Sequence, residues 1–242
     1  MPLLPKEPTP PKTELGDYLI LLYGPPKIGK TTTANGFPNA VILATEDGQR
    51  ALQCFRVLID SWPKFLATCQ ELATGDHGFR TIVIDTVGNL YSLCRRYICE
   101  QHGIKHESEL PYGRGYGLVE DEFARAITKL SLLPHGLLFI AHSEVEAVET
   151  RTGTLHRTVP ALPARARRFV LGLVDIVLFA TLVPDRGPDG RTIMRRVVRT
   201  QPSDTLEAGD RAGRLPDPVD LSYEHIAAAF AAGSTKEKDD AR

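Results

Sequence analysis

DYLILLYGPPKIGKTTTANGFPNAVILAT, residues 17–45, decides the fold. The apolar run DYLILLYG (17–24) stops at a glycine and reads as a buried strand. Gly24-Pro25-Pro26-Lys27-Ile28-Gly29-Lys30-Thr31 is a full G-x-x-x-x-G-K-T pattern, and GKTTTANGF starts a helix that Gly36 can end. The next run, NAVILAT (39–45), is a second buried strand. In that strand–loop–helix setting the glycines let backbone N–H groups close around phosphate oxygens at a helix N-terminus, where the dipole favours anions. The pattern predicts a nucleotide site formed by residues 24–32, with Thr32 following on the helix. Lys30 is expected to reach the β- and γ-phosphates, and the Thr31 hydroxyl to coordinate Mg²⁺. ATP and Mg²⁺ are the expected cofactors. No guanine-recognition signature of the N/TKxD type is evident, which favours ATP over GTP.

Working outward, SWPKFLATCQEL (61–72) has helical spacing, with Ser61 placed to cap and Pro63 tolerated in the first turn. FRTIVIDT (79–86) is a third buried strand, and VGNLYSLCRRYICEQHG a helix stopped by Gly103. A loop, KHESELPYGRGYG, precedes the amphipathic helix LVEDEFARAITKLSLL, and HGLLFIAH (135–142) is a fourth buried strand. SEVEAVETRTGTLHRTVPAL alternates and reads as a projecting hairpin. ARARRFVLGL is expected to be helical, VDIVLFATLV a strand with RTIMRRVVRT as its hairpin partner, and EHIAAAFAAG a short terminal helix. Alternating strands and helices imply an α/β domain: a mostly parallel sheet covered by helices on both faces, with a C-terminal β-hairpin extension. The expected division is a proline-rich arm (1–16), one ATPase domain (17–232) and a charged tail (233–242).

Composition narrows the class. The chain has 242 residues, 42% of them hydrophobic, enough for one substantial core. Lys and Arg number 29 against 30 Asp and Glu, so any nucleic-acid surface must be local. Cys54, Cys69, Cys94 and Cys99 lack metal-ligand spacing and read as buried reduced thiols, which suits a cytoplasmic location. No apolar run approaches the ~20 residues that span a bilayer.

Three strand ends carry further chemistry. Asp85 closes TIVID and is expected to hold Mg²⁺ beside Thr31; a cap for the following helix is the alternative. Thr86 follows it, so a general base must come from elsewhere. Glu46, just past VILAT, is the candidate to deprotonate an attacking water, with Asp47 as its rival. His142 ends the fourth strand, where it could sense the γ-phosphate or be merely structural. Residues 151–168 contain five arginines and a histidine without an acid. Arg151, His156, Arg157, Arg165, Arg167 and Arg168 are therefore candidate DNA-phosphate ligands. Tyr112, Arg114 and Tyr116 form a second candidate, able to stack on unpaired bases. The alternative for both segments is a solvated surface.

Taken together, YGPPKIGKTT, TIVIDTVGNLY, YGRGYGLVEDEF, ETRTG…RTVPALP, LGLVD and VRTQPS resemble the RecA-like ATPase core, and more closely the phage-encoded minimal RecA-core annealing ATPases of the Sak group. The likeness covers roughly residues 17–215. It implies an oligomeric ATPase that binds single-stranded DNA through two loops and promotes strand annealing or exchange, with a single-strand-binding protein among its expected partners and no membrane. It implies that Glu46 is the family's glutamate and His142 its polar sensor. It also implies a cation offered to the neighbouring subunit, for which Arg199, at the end of RTIMRRVVRT, is the choice. A nucleotide-switched binding module with little hydrolysis and a P-loop small-molecule kinase are the competing readings.

Overall fold

The computed structural model describes residues 4–151 and 153–240, the side chains of 234–240 excepted. The strands are β1 (Leu19–Gly24), β2 (Ala40–Ala44), β3 (Phe55–Leu58), β4 (Thr81–Asp85), β5 (Gly136–Thr150), β6 (Gly153–Pro160), β7 (Ile176–Arg186), β8 (Thr192–Arg199), β9 (Gly209–Asp210) and β10 (Val219–Asp220). The helices are α1 (Lys30–Asn35), α2 (Trp62–Thr74), α3 (Val87–Gln101), α4 (Arg114–Ser131), α5 (Ala164–Leu173) and α6 (Tyr223–Asp240). The sheet runs β10-β8-β7-β1-β5-β4-β2-β3. From β7 to β3 every pairing on that path is parallel, while β8 and β10 join antiparallel at one edge.

Continuous apolar runs suit a sheet covered on both faces, because successive side chains point to opposite sides. In β1, Leu21 and Tyr23 pack into the cluster beneath α2, α3, α4 and α5, while Ile20 and Leu22 pack into the cluster shared with α1 and α6. Every residue of β2 and β4 is buried. The parallel strands therefore deliver their C-terminal ends to one edge. That is where loops from several strands can meet one ligand.

Several local expectations need correction. β3 was not expected: it is four residues long, largely exposed, and carries no alternation that distinguishes it from a loop. Ser61 occupies the N-cap of α2 but makes no cap bond; its hydroxyl donates to Asp60 Oδ1 at 3.3 Å. Pro63 supplies part of the reason, since it removes one of the N–H groups a cap would accept from. α4 begins at Arg114, so Arg114 and Tyr116 stand on its first turn and not in a loop. Gly115 allows this, because a Cβ there would lie 2.1 Å from the Glu107 carbonyl oxygen. The fourth strand does not stop at His142 but continues through Thr150 as the first arm of the hairpin. Leu15 is buried in the core, so the domain starts before residue 17. α6 carries helix across the expected boundary at 232 into the tail; Ala241 and Arg242 of that tail lie outside the described residues.

Candidate nucleotide site

Register brings the chemistry together. β5 lies between β1 and β4, pairing Gly24 with His142 and Asp85 with Ile140, while β2 pairs Ala44 with Asp85. The ends of four adjacent strands thus place the loop after Gly24, the residues after Ala44, Asp85 and His142 along one edge. A cavity of about 630 Å³ opens there, walled by Pro26, Lys27, Gly29, Lys30, Thr31, Thr32, Glu46, Gln49, Asp85 and His142 among others.

The loop is shaped by contacts only glycine tolerates. A Cβ on Gly24 would sit 2.4 Å from the Ala180 carbonyl oxygen of β7, and Gly29 has φ +115°, in the left-handed half of the map. Ile28 turns inward into the core, so its contribution to the loop is its backbone. Lys30 is buried, and its Nζ donates to the Gly24 carbonyl at 2.9 Å and the Pro25 carbonyl at 2.8 Å. Burial pushes its pKa down, against the pull of the Asp85 and Glu46 carboxylates. An incoming phosphate would supply the charge that favours the ammonium.

Thr31 and Asp85 meet directly: the hydroxyl donates to Asp85 Oδ2 at 2.8 Å. The same oxygen accepts from Gln49 Nε2 at 3.1 Å, leaving the buried Gln49 Oε1 without a partner among the described residues. Asp85 does not cap α3. Thr86 does, accepting from the Asn89 N–H at 3.5 Å. Thr45 braces the turn, donating to the Asp85 carbonyl and accepting from the Thr86 N–H. A hydroxyl, a carboxylate and an unsatisfied amide oxygen form an oxygen-only set that fits Mg²⁺. Among the described residues no cluster of three His, Cys, Asp or Glu side chains exists for another metal.

Glu46 and Asp47 differ in what holds them. Asp47 is tied to Arg56 at 2.7 Å and to Arg50 at 2.9 Å, and those bonds, the Arg56 bond foremost, hold its carboxyl below the usual range. Glu46 lines the cavity and stands 3.9 Å from His142 Nε2, an ion pair only when the imidazole is protonated. His142 Nδ1 is buried without a partner among the described residues. Gln49 escaped the sequence reading: nothing marks EDGQRAL as a segment that folds back onto Asp85.

The cationic candidates divide. Arg157 pairs with Glu207 at 3.0 Å, Arg165 with Glu120 at 3.0 Å, and Arg167 with both Glu144 and Glu146. The basic segment is therefore matched by acids from β5 and α4 and by Glu207, which local sequence could not reveal. Arg114, Arg151, His156 and Arg168 are exposed and have no ion pair among the described residues. Tyr112 is fully exposed with φ 56°, and Tyr116 is partly exposed with its ring edge-on to His106. Arg199 is not a free cation either: it binds Asp217 through Nε at 2.9 Å and Nη2 at 2.8 Å. Offering it to a neighbour would require opening that pair. All four cysteines are free, and burial pushes the Cys69 thiol up to about 12 and the Cys94 thiol higher still.

A family model described as "AAA domain" matches residues 17–212. The chain is also 27% identical over 169 residues to the "SPbeta prophage-derived uncharacterized protein YorG" of Bacillus subtilis (strain 168), covering 66% of this chain and 50% of that protein. It thus spans half the length of that curated relative.

Proposed function

The chain belongs to the AAA domain family, and from that premise we propose that it binds and hydrolyses ATP as a RecA-like, phage-associated protein acting on single-stranded DNA in strand annealing or exchange. The observation that carries the nucleotide reading is the bond from Thr31 to Asp85 at 2.8 Å beside a buried Lys30, in one cavity with Glu46 and His142. Lys30 and the loop amides bind and orient the phosphates, and Glu46 takes a proton from the attacking water. Thr31 and Asp85, with Gln49 beside them, would hold Mg²⁺, which supplies neutralising charge to the phosphates when bound. His142, whose strand runs on into the hairpin, reports the state of the terminal phosphate to β5 and β6.

The DNA reading is supported by the exposed Tyr112, Arg114 and Tyr116 at the start of α4, and by Arg151, His156 and Arg168. Stacking and phosphate contact are the two requirements of single-strand binding without base readout. The similarity to a prophage-derived protein supports the phage setting. One observation keeps a second reading open: Arg157, Arg165 and Arg167 are held in ion pairs and are not free for DNA phosphates, which leaves a nucleotide-switched binding module as the alternative.

ATP turnover measured with and without single-stranded DNA separates the readings. Stimulation by DNA is expected. Turnover indifferent to DNA would remove the DNA reading, and tight binding with no turnover would favour the switch module.

A further inference from the structure

Lys27 has φ 61°, a left-handed backbone that a glycine adopts freely and an L side chain does not. It lines the same cavity wall as Glu46 and His142. Its amine has no hydrogen-bond or ion-pair partner among the described residues, whereas Lys30 Nζ is held by the Gly24 and Pro25 carbonyls. Most other cations around the edge are occupied: Arg50 and Arg56 by Asp47, Arg195 by Asp185 and Asp220, Arg199 by Asp217. Arg196 is unpaired among the described residues, with Nη1 3.9 Å from where a Cβ on Gly29 would lie, yet it is not part of the cavity wall. A strained, unpaired lysine in the wall of a phosphate site is placed for a charge that arrives with the ligand.

We propose that Lys27 is a catalytic cation of this site, its ammonium contacting the terminal phosphate of ATP bound in the same chain. The inference rests on the ATP-binding reading above. In the step it serves, water oxygen bonds to the γ-phosphorus and the bond to the β–γ bridging oxygen breaks. That electron pair stays on ADP, and the water proton passes to Glu46. Negative charge grows on the bridging and terminal oxygens, and a donor fixed beside it lowers the barrier.

Lys27→Gly tests this, because it removes the amine while relieving the backbone. ATP and ADP affinities are measured by calorimetry, turnover at saturating ATP, and Tm as a check on folding. The variant is expected to keep or raise Tm, to lose about tenfold of its preference for ATP over ADP, and to turn over about 10²-fold more slowly. Lys27→Arg is expected to recover part of both. Parent-like preference and turnover in Lys27→Gly would overturn the inference while leaving the ATP site intact. A parent protein that binds neither nucleotide would overturn the inference together with the reading beneath it.

Discussion

Glu46 and Asp47 are neighbours with opposite surroundings, and the difference is testable. Asp47 is locked by two arginines that pin the loop after β2, while Glu46 faces the cavity beside His142 and within electrostatic reach of Lys30. Glu46→Gln keeps shape and hydrogen bonding but loses basicity, so ATP should still bind while turnover falls by about 10² or more. Asp47→Asn should be milder, because its loss loosens a loop and not a proton transfer. Steady-state turnover of the two variants checks this, and a more damaging Asp47→Asn would reverse the assignment. That Lys30, Thr31 and Asp85 meet in one place was legible because a contiguous motif and a strand end define their positions. Gln49 and the Arg199–Asp217 pair were not. Both depend on tertiary contacts between segments, 36 residues apart for Gln49 and Asp85 and 18 for Arg199 and Asp217, that carry no local pattern.

The hairpin of β5 and β6 shows what an element adds to a charge count. Read alone, residues 151–168 are purely basic; folded, Arg167 reaches back to Glu144 and Glu146, and Arg165 to Glu120. Cations that neutralise DNA phosphates set the salt dependence of binding, with a slope of roughly 0.7 per contact on single strands. Replacing Arg151 and Arg168 with alanine should therefore weaken single-stranded DNA binding and flatten that slope by about one contact each. Tyr112→Ala should weaken binding by about 1–3 kcal/mol with the slope unchanged, since stacking releases no counterions. Oligonucleotide titrations at several salt concentrations read both, and parent-like binding by the arginine pair would move the switch-module reading ahead. Helices and buried strands were legible element by element because their apolar periods are strong. β3 and the early start of α4 were not: the first is short and exposed, and the second depends on Gly115 packing against Glu107.

At the scale of the whole molecule, the parallel order β7-β1-β5-β4-β2-β3 turns four separate stretches of sequence into one edge. The fold class followed from the strand–loop–helix start and the later alternation, and the family match over residues 17–212 covers the same region. No described helix is long and apolar enough to cross a membrane. Strand order was beyond the sequence, and with it the insertion of β5 between β1 and β4 that sets His142 opposite Gly24. Everything proposed about water activation, phosphate sensing and DNA depends on ATP occupying that edge. The direct test is ATP affinity by calorimetry for the parent and for Lys30→Ala, with circular dichroism and Tm establishing that the variant is folded. The account predicts heat of binding for the parent that is abolished or greatly weakened in a folded Lys30→Ala. Unchanged affinity in the folded variant would contradict it.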